Sequence, residues 1–332
     1  MSASNVSRLV LLLGVMSLLA IPGCQMPRSA EVDDYLKGQL AADKGQLDDA
    51  LANLTHAIEK NPKMGLAYMS RGEVLKARGD YEKAAGDFAQ VTKLEPFNFD
   101  AHYELGLMYQ YLKKFEAAIT AYQKAVEIRP LDPHANMNLA LVYTQMDQPL
   151  RGLGYAQRAV NGDEQSPLTH ANLGILYSQI GYSELAIDEL QKAIELNSQE
   201  TQVFLALIGE YVKLKKYVPA RNVADAGCKI SPTAALYERL GSCLYFLGSY
   251  EEGRTAFENA LKLDPTYFMA LNGLGATAMR QALQSTPADL NLARQAVAYW
   301  QRSLKQNPNQ PNIKGLLEKY TGKLGLDKPE QP

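Results

Sequence analysis

The sequence predicts an all-α chain that repeats one helix-turn-helix unit about eight times. Three observations carry this. Pro62, Pro96 and Pro130 lie 34 residues apart, and Pro232 falls three further periods on. A fixed period of this length marks a stack of repeated units and decides the whole architecture. Between Asp100 and Pro130, two apolar patterns have helical spacing. One runs from Tyr103 through Leu105 and Leu107 to Tyr109. The other takes Phe115, Ala118, Ile119, Tyr122, Ala125 and Val126, with Lys113-Lys114 between the two. Finally, Gly45, Gly79, Gly181 and Gly248 recur where a first helix should stop. That position calls for a left-handed residue, which glycine supplies without strain.

Composition sets the outer bounds. The chain has 332 residues, 46% of them hydrophobic, enough for a continuous core. A net charge of -2 from 34 basic and 36 acidic residues argues against nucleic acid as the main partner, because phosphate binding needs a basic face.

Residues 1–23 belong to another class. Arg8 and the amino terminus are positive, and Leu9 to Ile21 is apolar apart from Gly14 and Ser17. Thirteen helical residues span about 20 Å, short of the roughly 30 Å of bilayer hydrocarbon, so the run fits a signal peptide. The segment Ile21-Pro22-Gly23-Cys24 resembles a bacterial lipoprotein cleavage box. Gly23 and Cys24 match it, and Pro22 stands where a small residue is usual. The resemblance implies cleavage before Cys24 and acylation of that cysteine, palmitate included. Several chains on one residue would anchor stably where one chain would not. Gln25, in place of an aspartate, implies an outer-membrane destination facing the periplasm. An uncleaved signal anchor is the alternative. Residues 24–32 then form the lipidated cysteine and a short tether, whose Gln25 to Ala30 stretch reaches at most about 20 Å.

From residue 33 onward the unit repeats. The second copy carries Tyr68, Gly72, Gly79, Tyr81, Ala84, Phe88 and Pro96, and the third Leu105, Gly106, Tyr109, Ala118, Tyr122, Ala125 and Pro130. This pattern resembles the tetratricopeptide repeat family. The resemblance implies a right-handed superhelical solenoid of about eight helix-turn-helix repeats plus a C-terminal capping helix. The repeats fall near 33–64, 65–98, 99–132, 133–166, 167–200, 201–233, 234–267 and 268–309. The last period is longer, which places extra residues between its helices at 281–290. Ala84, Ala118, Ala186 and Ala220 are small where paired helices should cross closely, and Asp80 can cap the helix after Gly79. Ile313, Leu316, Leu317 and Tyr320 form one apolar stripe on a capping helix at 310–325, and 326–332 is tail.

Catalytic chemistry is not in view, and neither an enzyme activity nor a cofactor is expected. His56, His102, His134 and His170 lack the i, i+3 or i, i+4 pairing of helical metal sites, so no metal is expected. No strand precedes Gly152-Leu153-Gly154 or Gly273-Leu274-Gly275, which excludes a dinucleotide fingerprint. Residues 281–292 carry one aspartate and neither His nor Cys, a poor basis for a hidden active site. Cys228 and Cys243 are either a disulfide, which an extracytoplasmic compartment permits, or two small core residues. Folding the helices back on each other leaves the pair about 7 Å out of step, which disfavours a bridge.

The family resemblance implies that partners bind a concave groove lined by first helices. The candidates are Met69, Glu73, Tyr103, Leu107, Gln110, Tyr111, Met137, Asn138, Gln145, Asn172, Gln179, Tyr245, Phe246 and Asn272. Gln39, Leu141, Ile175, Leu205, Glu238, Ser242 and Met279 lie on the same side. For Leu107, Leu141, Ile175 and Leu205, burial between neighbouring first helices is the competing assignment. A surface rich in Met, Tyr and Leu, with Asn and Gln among them, suits an apolar or amphipathic protein segment. The expected function is a membrane-anchored, non-catalytic protein- or peptide-binding scaffold that assists assembly of an envelope complex: a pilus, outer-membrane or secretion machinery. The alternative is an accessory subunit of an envelope carbohydrate enzyme or exporter.

Overall fold

A computed structural model describes residues 29–325. The signal peptide, Cys24 and the 326–332 tail lie outside the described residues. The described residues form seventeen α-helices and no strand. The chain divides into two compact units, Met1–Ile128 and Arg129–Pro332. The first holds α1 (Ala30–Asp43), α2 (Leu47–Lys60), α3 (Gly65–Arg78), α4 (Tyr81–Leu94), α5 (Phe99–Tyr111) and α6 (Phe115–Ile128). The second holds α7 (Pro133–Gln145), α8 (Pro149–Gly162), α9 (Pro167–Ile180), α10 (Ser183–Glu195), α11 (Thr201–Lys213) and α12 (Tyr217–Ile230). It continues with α13 (Ala234–Leu247), α14 (Tyr250–Leu263), α15 (Phe268–Gln284), α16 (Leu290–Gln306) and α17 (Pro311–Leu324). Within each unit every helix packs on the one before it and the one after it. This is the all-helical solenoid of paired helices that the period predicts.

The turn inside each pair explains the spacing. Gly79 is left-handed at φ +85°. Its N–H bonds the Lys76 carbonyl at 3.0 Å, and the Asp80 N–H bonds the Leu75 carbonyl at 2.9 Å. These two bonds satisfy carbonyls that the end of α3 would otherwise leave unpaired. The turn demands the conformation more than it demands glycine. Lys113 takes it at φ 55°, with the same two bonds, to Gln110 at 3.0 Å and from Lys114 to Tyr109 at 2.8 Å. Asp147 and Lys215 are left-handed as well. Asp80, expected to cap α4 through its side chain, makes no such bond. Its carboxylate accepts from Arg78 instead, and only its main-chain carbonyl receives the Ala84 N–H.

In several pairs a glycine of the first helix faces a ring of the second. A Cβ added at Gly106 would meet the Tyr122 ring at 2.7 Å, and one at Gly275 would meet the Trp300 indole at 2.4 Å. Ala84, Ala118, Ala186 and Ala220 are fully buried. Larger residues at such contacts would force backbone shifts.

The last pair corrects one expectation. Of residues 281–290, only 285–289 lie outside its helices. Both α15 and α16 have 17 residues, against 13 or 14 in the other helices. Gln281 to Gln284 are helical, and Asp289 caps α16 by accepting from the N–H groups of Asn291 and Leu292 at 2.9 and 3.1 Å. Good helix formers on both sides of the connection let each helix grow by about a turn. Ile313, Leu316, Leu317 and Tyr320 of α17 pack on the cluster around Trp300.

Cys228 and Cys243 are buried free thiols. Burial pushes both up to about 11, with the Asp225 and Glu238 carboxylates adding to the effect on Cys228 and Cys243 respectively.

Candidate partner-binding faces

In the first unit, the first helices are tied side to side by polar bonds. Gln39 of α1 donates to Ser70 of α3, and Lys76 of α3 reaches Glu104 of α5 at 2.6 Å. Arg71 forks onto buried Asp87 at 2.7 and 2.8 Å, joining α3 to its partner helix α4. On this frame sits a ring shelf. Tyr111 is 55% exposed and stacks on Tyr81, with centroids 4.8 Å apart and planes at 19°. Tyr81 opens α4 and Tyr111 closes α5, so the shelf bridges two repeats. Tyr103 is half-buried, 6.0 Å from Phe99 and 5.9 Å from Tyr122. Gln110 accepts the Tyr122 hydroxyl at 3.0 Å, so the seam within the repeat sets its orientation. Met69 and Leu107 are half-buried and pack against the cluster of Phe88, Leu105 and Met108. Glu73 is also half-buried. Leu66, absent from the expected set, is a large exposed apolar residue on α3.

The second unit repeats the shelf. Phe246 near the end of α13 is 56% exposed and stacks on Tyr217, which opens α12, at 4.7 Å and 12°. Half-buried Tyr245 meets the Phe246 edge at 5.6 Å. Gln145 and Gln179 are exposed, and Asn138, Asn172 and Asn272 half-buried. Met137 departs from expectation. It is 6% exposed and lies in the core cluster with Ala140, Leu173 and Tyr177. Its flexible side chain fills the space between its own pair and α9, so it does not face a partner. Met279 is buried in the same way, beside Trp300. Leu141, Ile175 and Leu205 are half-buried, each packed against a core cluster of this unit.

Two charged groups on this side are buried. Glu210 is 1% exposed and accepts from Ser178 and Lys213, both at 2.5 Å. Burial works to raise its pKa, but the hydrogen bonds from Lys213, Ser178 and Ser183 outweigh it and the net direction is down. Glu238 of α13 is the other. A cleft of about 360 Å³ opens between α13, α15 and α17, bordered by Glu238, Tyr245, Phe246, Asn272, Trp300 and Leu316. A second, of about 440 Å³, lies on α12, α13 and α14 between Arg221, Asp225, Glu252 and Asn259. Second helices α12 and α14 supply most of its lining, so the first-helix pattern does not mark it.

Two of the four histidines have partners in the fold. His170 is buried, with Nδ1 2.6 Å from Glu189 Oε2 and Nε2 3.1 Å from the Glu164 carbonyl. His102 Nε2 stands 3.0 Å from the Pro96 carbonyl. Among the described residues no three His, Cys, Asp or Glu side chains converge as metal ligands would. Among those residues, too, no helix is long and apolar enough to cross a membrane.

Models of the tetratricopeptide repeat match residues 35–89, 74–133 and 103–167, then 169–200, then 234–267. The chain is built of tetratricopeptide repeats. Proteins with these repeats generally mediate protein–protein interactions and scaffolding, and are typically not catalysts. Heat shock protein STI1 of Saccharomyces cerevisiae is 32% identical over 126 residues, which cover 37% of this chain and 21% of that protein. Small glutamine-rich tetratricopeptide repeat-containing protein 2 of Mycosarcoma maydis is 30% identical over 93 residues, 28% of this chain and 26% of that protein. The chain thus spans about a quarter or less of each of these relatives. Three solved structures share the fold. The C-terminal part of a repeat protein from Cytophaga hutchinsonii aligns with a TM-score of 0.59 at 16% identity, covering 74% of this chain and 97% of that one. Pseudomonas aeruginosa pilF aligns at 0.54 and 19%, covering 67% and 97%. A tetratricopeptide repeat protein of Parabacteroides merdae aligns at 0.53 and 18%, covering 75% and 98%.

Proposed function

We propose that this chain is a lipid-anchored, non-catalytic scaffold that holds protein or peptide segments on its first-helix faces. Its place is the cell envelope, at the outer membrane facing the periplasm, and its role is to assist assembly of an envelope complex. The observation that carries the binding role is the pair of ring shelves, Tyr81 with Tyr111 and Tyr217 with Phe246. Each sets an exposed ring on a half-buried one at the same place in its repeat. An exposed ring already held by a stack loses little freedom when a partner covers it. Exposed neutral amides near the ends of other first helices, Gln145 and Gln179, suit the main chain of an apolar or amphipathic segment. Acylated Cys24 on a short tether would hold the first repeats near the bilayer and raise the local concentration of scaffold there.

Two measurements test the two halves of this reading. Crosslinking and affinity capture from intact envelopes should recover a partner with the wild type and recover far less with Tyr103→Ala/Tyr111→Ala. Undiminished capture by that folded variant would move the binding face elsewhere. Labelled palmitate should enter the wild type and not Cys24→Ala, and equal labelling would remove the anchor.

A further inference from the structure

The cleft between α13, α15 and α17 is built for a ligand that supplies hydrogen-bond donors. Glu238 is 6% exposed. One carboxylate oxygen accepts the Ser242 hydroxyl at 2.7 Å, while the other, Oε2, is buried without a hydrogen-bond partner. The nearest cation to it, half-exposed Arg239, stands 3.6 Å away. Asn272 contributes a second acceptor, and the orientation of its amide follows from its neighbours. Gln310 Nε2 is committed to the carbonyls of Ser303 and Asn307 at 3.2 and 2.8 Å. Its Oε1 therefore faces Asn272, which must donate through Nδ2, at 2.7 Å. That leaves Asn272 Oδ1, also buried and without a partner, as the atom not used. Two unmet acceptors thus border one cleft, and the Trp300 N–H is already directed at the Asn272 carbonyl. A buried acceptor left unmet is costly, and more so when it belongs to a carboxylate. Around these acceptors the walls are rings: Tyr245, Phe246, Phe257 and Trp300.

We propose that this cleft receives a basic side chain, arginine or lysine, of the bound partner segment. Its cationic head lies on Glu238 and Asn272, and its aliphatic stem lies on Tyr245 and Phe246. A guanidinium or ammonium has donors only, which matches two unmet acceptors, and aromatic faces favour both the cation and the stem. The proposal rests on the reading of first-helix faces as partner-binding and adds what one part of that face selects.

Trp300 is the only tryptophan in the chain and borders the cleft, so its fluorescence reports occupancy directly. The purified full chain is titrated with acetyl-Leu-Arg-Leu-amide and with its citrulline counterpart, which keeps the shape and loses the charge. The arginine peptide should shift the Trp300 emission saturably and bind at least about tenfold more tightly, as a charge-assisted bond is stronger than a neutral one. Glu238→Gln, close in shape, should bring the two peptides level. Phe246→Ala, an exposed position that cannot collapse the core, should weaken both and keep the preference. Equal affinity for the two peptides in the wild type overturns the proposal. So does an arginine preference that survives Glu238→Gln, a Phe246→Ala that binds both at full strength, or no Trp300 response at millimolar peptide. Tyr103→Ala/Tyr111→Ala should leave this titration unchanged. A loss of envelope capture beside an intact titration, or the reverse, therefore separates this proposal from the broader one.

Discussion

Tyr122 and Tyr111 sit eleven residues apart in one repeat and do opposite things. Tyr122 is fully buried against the gap left by Gly106, while Tyr111 is mostly in solvent and rests on Tyr81. The first belongs to a seam that closes a helix pair. The second belongs to a shelf that spans two pairs. A tetratricopeptide repeat thus spends its aromatic residues twice, once to hold itself together and once to present a surface. The left-handed turns join the two uses: Gly79 stands two residues before Tyr81, and Lys113 two residues after Tyr111.

Substitutions can break or sharpen this division. The largest effect is expected at the seam, where Tyr122→Ala should cost about 3–5 kcal/mol by thermal or denaturant unfolding. A loss below about 1 kcal/mol there would place the packing of the pair elsewhere. Next comes the turn. Gly79→Val forces a β-branched residue into a left-handed conformation and should cost more than about 1 kcal/mol. An unchanged melting temperature would mean the turn tolerates any residue. The opposite change, Lys113→Gly, relieves a side chain of that conformation. It should raise stability by about 0.5–1 kcal/mol and leave partner capture intact. The smallest effect on stability belongs to the shelf. Tyr111→Ala should move unfolding by less than about 0.5 kcal/mol, yet weaken capture when combined with Tyr103→Ala. Should Tyr111→Ala destabilise the chain as strongly as Tyr122→Ala, the division between seam and shelf would fall.

What the sequence made legible follows the same line. The period, the left-handed glycines, the small alanines and the capping stripe all rest on contacts within a pair or between immediate neighbours, and such contacts leave a spacing behind. Features that depend on one particular neighbour leave none. Met69, Tyr103 and Met137 occupy the same place in three successive repeats, yet only Met137 is buried. The side chains around it in α9, and not its own position, decide that. Gln110 reads as a surface amide in the sequence, yet its side chain accepts the Tyr122 hydroxyl. Tyr81 read as a motif residue, and nothing local shows that it carries Tyr111 from the next repeat. Counting residues detected the long final pair, but a count cannot say whether the surplus extends helices or loops out. The acceptors of the α13–α15–α17 cleft were hidden for a related reason. Asn272 acquires its orientation from Gln310, 38 positions away.

The helix α17 has a consequence best put in the language of polymers. A stack of helix pairs is an open-ended growth problem, because each added pair covers one apolar end and creates another. α17 covers without creating. Ile313, Leu316, Leu317 and Tyr320 face the Trp300 cluster, while Lys314, Glu318 and Lys319 are exposed on its outer side. In that vocabulary it is a chain terminator: it consumes the growing end and leaves a charged, non-templating surface. A single amphipathic helix thereby covers the apolar end of the last pair.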